Sequence, residues 1–236
     1  MLRLLHHRNG SRCAHHLRAR GDPLGGHAVS KLDTSAPIEG PFPFEPFPKI
    51  ARLRRDCVVT EKIDGTNASI TIIDNGNGEL KVFAASRNRW IDLEHDNAGF
   101  AAWCVEHDEE LKQLGVGTHY GEWWGQGIQR RYGQDRKRFS LFNTARWSDR
   151  VENVDGEDAV VQRSPACCDV VPVILTGTMG VGEKIIDVAL NLLRENGSYA
   201  APGFMDPEGI VVYHTAARTL FKVTLQNDEK PKGSTE

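Results

Sequence analysis

The chain has 236 residues, 39% of them hydrophobic and 26% charged, with 29 Lys and Arg against 32 Asp and Glu and a net charge of −3. That is the composition of a globular protein of one large or two small domains, and no stretch reaches the roughly 18 apolar residues that a membrane-spanning helix needs. It offers no global basic field for nucleic acid, so any such surface must be local.

Through Arg20 the chain holds five arginines, four histidines and no acid, without clear periodicity. Residues 1–35 therefore read as a disordered N-terminal extension, with an organellar transit peptide as the alternative. Cys13, Cys57, Cys104, Cys167 and Cys168 show no Cys-x-x-Cys pair and no zinc spacing. They suit reduced thiols in the cytoplasm. The prolines between Pro37 and Pro48 exclude a helix or central strand and predict an extended lead-in, with the folded domain spanning 36–226 and a flexible tail over 227–236.

The β-branched run Asn67–Ile73, the turn residues Asp74–Gly78 and the return Leu80–Ala85 predict a β-hairpin. Asn97 is placed to cap a helix over 98–114 that Gly115 ends. Strands are expected at 118–124 and 139–143, and at 170–175, where Pro172 implies a sheet edge. Ile185, Val188, Ala189, Leu192 and Leu193 share one face of a helix over 183–195. Strands at 209–214 and 219–225 complete an α+β chain of largely antiparallel sheets flanked by helices. The glycine-rich 177–184 lacks the Gly-Lys-Ser/Thr order of a phosphate-binding P-loop and reads as a loop and helix start.

Glu61-Lys62-Ile63-Asp64-Gly65-Thr66-Asn67 sets a lysine between a strand and a glycine turn, with carboxylates on both sides. Lysine attacks only when neutral, against an ordinary pKa of about 10.4, so desolvation or nearby positive charge must activate it. Gly65 permits close backbone approach to a ligand.

Lys62-Ile63-Asp64-Gly65 resembles the first signature of the covalent nucleotidyltransferases, the superfamily of ATP-dependent ligases and mRNA capping enzymes. Ser86–Arg89, Tyr120–Trp123, Phe139–Asn143, Glu208–Val212 and Leu220–Val223 resemble the following signatures in order. The Lys-x-Asp-Gly-Thr-Asn and Phe-x-Leu-Phe-Asn forms are similar to the RNA ligase branch related to phage T4 RNA ligase 2. The resemblance implies a nucleotidyltransferase core, ATP-grasp-like in architecture. It also implies ATP and Mg2+ as cofactors and RNA ends, a 5′-phosphate and a 3′-hydroxyl, as partners. DNA ends, or a module that binds nucleotide or RNA without chemistry, are the alternatives.

By the same resemblance Lys62 attacks the α-phosphate and holds AMP as a phosphoramidate. Glu61 accepts from the adenine amino group or is a solvated carboxylate; Asp64 orients the metal or the lysine; Asn67 contacts the substrate phosphate or stabilises its own turn. Arg87 grips ribose or phosphate, with Arg89 a helper or surface residue. Glu122 reads the ribose hydroxyls, Phe139 stacks on adenine, Glu208 binds the divalent metal, and Lys222 neutralises the α-phosphate.

Two departures stand out. Thr224 occupies the place of a second lysine, so one phosphate contact is lost or supplied by Lys230 or Lys232. Only 14 residues follow Lys222, so neither an OB-fold nor a helical C-terminal domain is expected. Finally, Arg130–Arg150 carries seven basic residues against two acids, interleaved with Tyr132, Phe139, Phe142 and Trp147. It reads as a polynucleotide track or a solvated loop.

Overall fold

Strict alternation first appears at Asp56–Lys62 (β1), where Cys57, Val59 and Glu61 are buried and Val58, Thr60 and Lys62 take the opposite face. The computed structural model describes residues 41–152, 158–180, 184–226 and 228. The chain divides into two units, residues 1–48 and 49–236. Of the first, residues 41–48 hold no helix or strand, as their prolines require. The expected N-terminal extension lies outside the described residues, as does the expected tail apart from Asp228.

The second unit is built on two sheets. The first, of four antiparallel strands, runs β10 (Val173–Thr178), β1, β11 (Gly209–His214), β12 (Thr219–Thr224). The second has six strands in the order β4 (Trp90–Ile91), β3 (Leu80–Ser86), β2 (Thr66–Asp74), β5 (Gly117–Gly125), β6 (Lys137–Leu141), β9 (Cys168–Val170). Only β6 and β9 pair in parallel within it. A separate hairpin, β7 (Ser148–Glu152) and β8 (Asp158–Gln162), has no counterpart among the strands expected from the sequence.

The expected hairpin is β2–β3, its turn closed by Asp74 Oδ1, which accepts from the amides of Gly76 and Gly78. The expected strand at 170–175 is instead two strands. Pro172 has no amide to donate, and there the chain leaves the second sheet at β9 and enters the first at β10, each an edge strand. A second crossing, Ile63–Gly65, takes β1 into β2. The two crossings touch, since the Glu61 amide donates to the Pro172 carbonyl at 3.0 Å, and Ile63 and Val171 share a small core with Trp124, Tyr132 and Ala201.

The expected helix at 98–114 breaks into α1 (Phe100–Glu106), α2 (Asp108–Leu111) and a 3-10 turn (Lys112–Leu114), divided at His107. Asp96 supplies the cap in place of Asn97. Its carboxylate accepts from the amides of Ala101 and Ala102, while left-handed Ala98 and Gly99 turn Asn97 toward Thr66 Oγ1. These elements cover the second sheet over a core that includes Ile70, Ile72, Phe100, Leu111, Trp123 and Phe139. A short helix, α3 (Thr144–Trp147), is capped by Asn143, so the strand expected there stops at Leu141.

Helix α4 (Ile185–Asn196) covers the first sheet through Ala189, Leu190 and Leu193, which pack on Cys57, Val59, Ile210 and Val212. Its buried face is rotated from the expected one, leaving Val188 exposed. No helix among the described residues is long and apolar enough to cross a membrane.

Candidate active site

Lys62 ends β1, immediately before the crossing into the second sheet. Its Nζ lies 2.5 Å from Glu208 Oε2, and the Glu208 side chain is only 3% exposed. Lys62 pairs across the ladder with Gly209, which pairs with Thr224; the next row is Thr60, Val211 and Lys222. Directly paired residues share a face, so Lys62, Lys222 and Thr224 stand on one side of the first sheet, one row apart at most. Lys222 is exposed there. Thr224 is engaged in closing the chain beyond β12: its amide and hydroxyl bond Asp228 and Gln226. Lys230 and Lys232 lie outside the described residues.

The turn after Lys62 is clamped from the second sheet by buried Glu122. One carboxylate oxygen accepts from the Gly65 amide at 3.1 Å, the other from Asn67 Nδ2 at 2.8 Å. Burial pushes the Glu122 carboxyl up to about 7, against the lowering effect of Lys62 and of these two hydrogen bonds, while Glu208 raises it further. A Cβ at Gly65 would meet the Trp123 carbonyl oxygen at 2.4 Å and Trp124 Cβ at 2.8 Å. The close approach that needs this glycine is therefore onto β5 of the protein itself.

Asp64 is fixed at both its ends. Its amide donates to Tyr132 Oη at 2.9 Å, and its carboxylate takes Arg130 Nε at 3.2 Å. Arg130 in turn grips Asp206 through its carboxylate at 2.6 Å and its carbonyl at 3.0 Å. Arg130 and Tyr132 thus belong to the site. In the sequence they stand only in a basic stretch, some 65 residues from Asp64, with no spacing to mark them.

Glu61 points to the other face of β1 and is buried. Its carboxylate accepts from Ser198 Oγ at 2.7 Å and from the amides of Tyr199 and Ala200, each at 2.8 Å. Burial raises its pKa against these hydrogen bonds. Strand alternation turns it away from Lys62, so it is neither a solvated carboxylate nor aimed at a ligand beside Lys62. It anchors the chain that follows α4.

Phe139 is also corrected. In the β5–β6 ladder Glu122 pairs with Ser140, and Trp123 with Phe139. Glu122, Asn67 and Ser140 share one face; Phe139 shares the other with Trp123 and is fully buried against Phe100 and Trp103. It is a core ring with no face for adenine. Tyr120, two residues before Glu122 on the same face, is an exposed aromatic.

Arg87 follows β3 by one residue and is exposed, while the Arg89 guanidinium donates to the His95 carbonyl. The basic stretch does not form a free track. Besides Arg130, Arg138 forms a two-pronged pair with Asp169 and lies over Trp124, Lys137 donates to the Ala98 carbonyl, and Arg146 to that of Leu114. Tyr132, Phe139 and Trp147 are buried.

The RNA ligase family model matches residues 55–224, which hold both sheets together with Lys62, Glu122, Glu208 and Lys222. No curated protein matches the chain. Among solved structures, Naegleria gruberi RNA ligase with pyrophosphate is 17% identical with a TM-score of 0.46, the match covering 73% of this chain and 50% of that one. An apo variant of that ligase gives 17% and 0.48 with the same coverage. A variant with ATP and manganese gives 16% and 0.46, covering 74% and 50%. The chain spans about half the length of the solved structures it matches.

Proposed function

The chain belongs to the RNA ligase family, and on that premise we propose that it is an ATP-dependent polynucleotide ligase acting on RNA ends through a lysyl-AMP intermediate at Lys62. One observation carries the reading. Lys62, at the seam of two sheets, faces the buried carboxylate of Glu208 at 2.5 Å, while Glu122 holds the turn that follows it.

The ion pair with Glu208 keeps Lys62 protonated, and a cation held by Glu208 would weaken that grip; Lys62 then gives its proton to solvent and its Nζ attacks the α-phosphorus of ATP. The nitrogen–phosphorus bond forms, the bond to the bridging oxygen breaks, and pyrophosphate leaves. The adenylyl group next passes to a 5′-phosphate, and a 3′-hydroxyl then displaces AMP to form the phosphodiester. Exposed Lys222, on the face of Lys62, supplies positive charge where the phosphate gains negative charge. Arg87 is free to grip ribose or phosphate oxygens. Each Glu122 oxygen keeps accepting capacity for a ribose hydroxyl. Asp64, tied down by Arg130, positions Lys62, and Asn67 presents its turn to the phosphate.

Lys62 and Glu208 both act electrostatically on Glu122, and the hard carboxylate oxygens of the two acids suit a hard divalent cation. Glu208 would hold it. A bound Mg2+ would stabilise charge on the reacting phosphate. The free thiols Cys57, Cys104, Cys167 and Cys168 support a reducing, cytoplasmic setting.

Thr224, standing in the row of Lys62, favours a second reading, a module that binds nucleotide or RNA ends without chemistry. Incubation with α-labelled ATP and Mg2+, followed by a denaturing gel, separates the two. Label that survives denaturation and is absent from Lys62→Ala supports the ligase. No label from protein first cleared of bound AMP with pyrophosphate overturns it. Competition between nicked RNA and nicked DNA then identifies the strand.

A further inference from the structure

Away from Lys62, on the helical side of the second sheet, the fold gathers three unlike donors. His107 stands at the break between α1 and α2, Glu110 lies one turn on, and Cys167 precedes β9 by one residue. His107 Nδ1 is 2.9 Å from Glu110 Oε1, and the nitrogen, carboxylate oxygen and sulfur all lie within 4.8 Å of one another. All three side chains are partly exposed, and they line a groove of about 640 Å³ whose wall includes Trp103, Arg136 and Asp169.

We propose that His107, Glu110 and Cys167 form a binding site for a borderline-soft divalent metal ion, zinc in the first instance, with a fourth position open to the groove. The donor set decides the class. A thiolate and an imidazole are poor ligands for Mg2+ or Ca2+ and good ones for Zn2+. Zinc bonds of about 2.0–2.3 Å place tetrahedral donors roughly 3.3–3.8 Å apart, so opening the 2.9 Å His107–Glu110 contact slightly and closing the wider separations by about 1 Å converts the present cluster into a coordination shell.

On binding, the Cys167 thiol gives its proton to solvent and the sulfur takes the metal. The His107–Glu110 hydrogen bond opens, with the imidazole proton on Nε2. The ion would pin the α1–α2 junction to the segment leading through β9 and Pro172 into the first sheet. The inference stands independently of the chemistry proposed at Lys62.

Cobalt(II) titration of the reduced, metal-stripped full chain tests it, because a thiolate ligand produces a charge-transfer band that oxygen donors do not. The expected result is one thiolate-bound cobalt per chain, displaced by one equivalent of zinc. The band is lost in Cys167→Ser, affinity falls at least tenfold in His107→Ala and in Glu110→Ala, and both are unchanged in Cys13→Ser, whose cysteine stands among the four histidines that precede Arg20. A band that survives Cys167→Ser, that disappears in Cys13→Ser, or that never forms in the wild type overturns the proposal. Should Cys167→Ser fail to fold, alkylation of the wild type decides. Zinc slows modification of Cys167 at least tenfold relative to Mg2+ if the site exists, and equal rates overturn it.

Discussion

Two side chains, Glu122 and Phe139, carry sharply different predictions although one strand pairing joins their neighbourhoods. The Glu122 carboxyl is raised from 4.5 to about 7 in the folded chain. Between those values the native state holds a proton that the unfolded chain has released, so this group's contribution falls as pH rises from about 4.5 to 7. Glu122→Gln should flatten that window, removing a pH-dependent loss of about 2–3 kcal/mol; denaturant midpoints at pH 5 and pH 7.5 check it. Phe139→Ala should cost about 3–5 kcal/mol of stability, since a buried ring leaves a cavity. Its KM for ATP should stay within about twofold if the protein is assayed well below its lowered Tm. Tyr120→Ala, an exposed change on the Glu122 face, should show the opposite pattern: stability nearly unchanged and a raised KM for ATP.

At the scale of elements, the crossing from β1 to β2 and the start of α1 are the sensitive points. Gly65→Ala drives a methyl into the Trp123 carbonyl and Trp124 Cβ, both on a buried strand. It should destabilise by about 1–3 kcal/mol and reduce adenylylation by more than the fraction of unfolded chain explains; calorimetry beside a labelling rate separates the two losses. Asp96→Ala removes acceptors for two helix amides and should cost about 1 kcal/mol, visible as a lower denaturant midpoint, while Asn97→Ala costs less. Asp and Asn cap equally well in principle, so two adjacent candidates could not be ranked before the backbone at Ala98 and Gly99 was known. The strand expected at 170–175 shows a similar limit: its apolar run was legible, but that Pro172 divides it between two sheets follows from pairing partners far away in the chain.

For the molecule as a whole, most arginines between residues 130 and 146 serve the fold. RNA affinity should therefore fall only shallowly with salt, each phosphate contact adding about 0.7 to the slope of log K against log salt for a single strand. Arg136→Ala, at an exposed guanidinium, should lower that slope, whereas Arg138→Ala should cost stability through its lost pair with Asp169. The motif order made the convergence of Lys62, Glu122 and Glu208 legible beforehand, as local signatures at strand ends usually are. That Glu61 and Lys62 take opposite faces follows from their adjacency in one strand. Which face of a strand is buried was not legible: it depends on register, which one residue of slip inverts, and it turned Phe139 into the core. Arg130 on Asp64, and Cys167 beside His107, are contacts across 60 or more residues with no local pattern to announce them.

Because Glu61 donates its amide to Pro172 where the two crossings meet, the backbone beside Lys62 is tied into both sheets at once. No local fraying exposes that amide without parting the seam itself. In deuterated water its exchange should be among the slowest in the chain and governed by global unfolding, while the amides around Asn75–Gly78 exchange within seconds. The residue next to Lys62 would thus be among the last parts of the protein to learn that the solvent has changed.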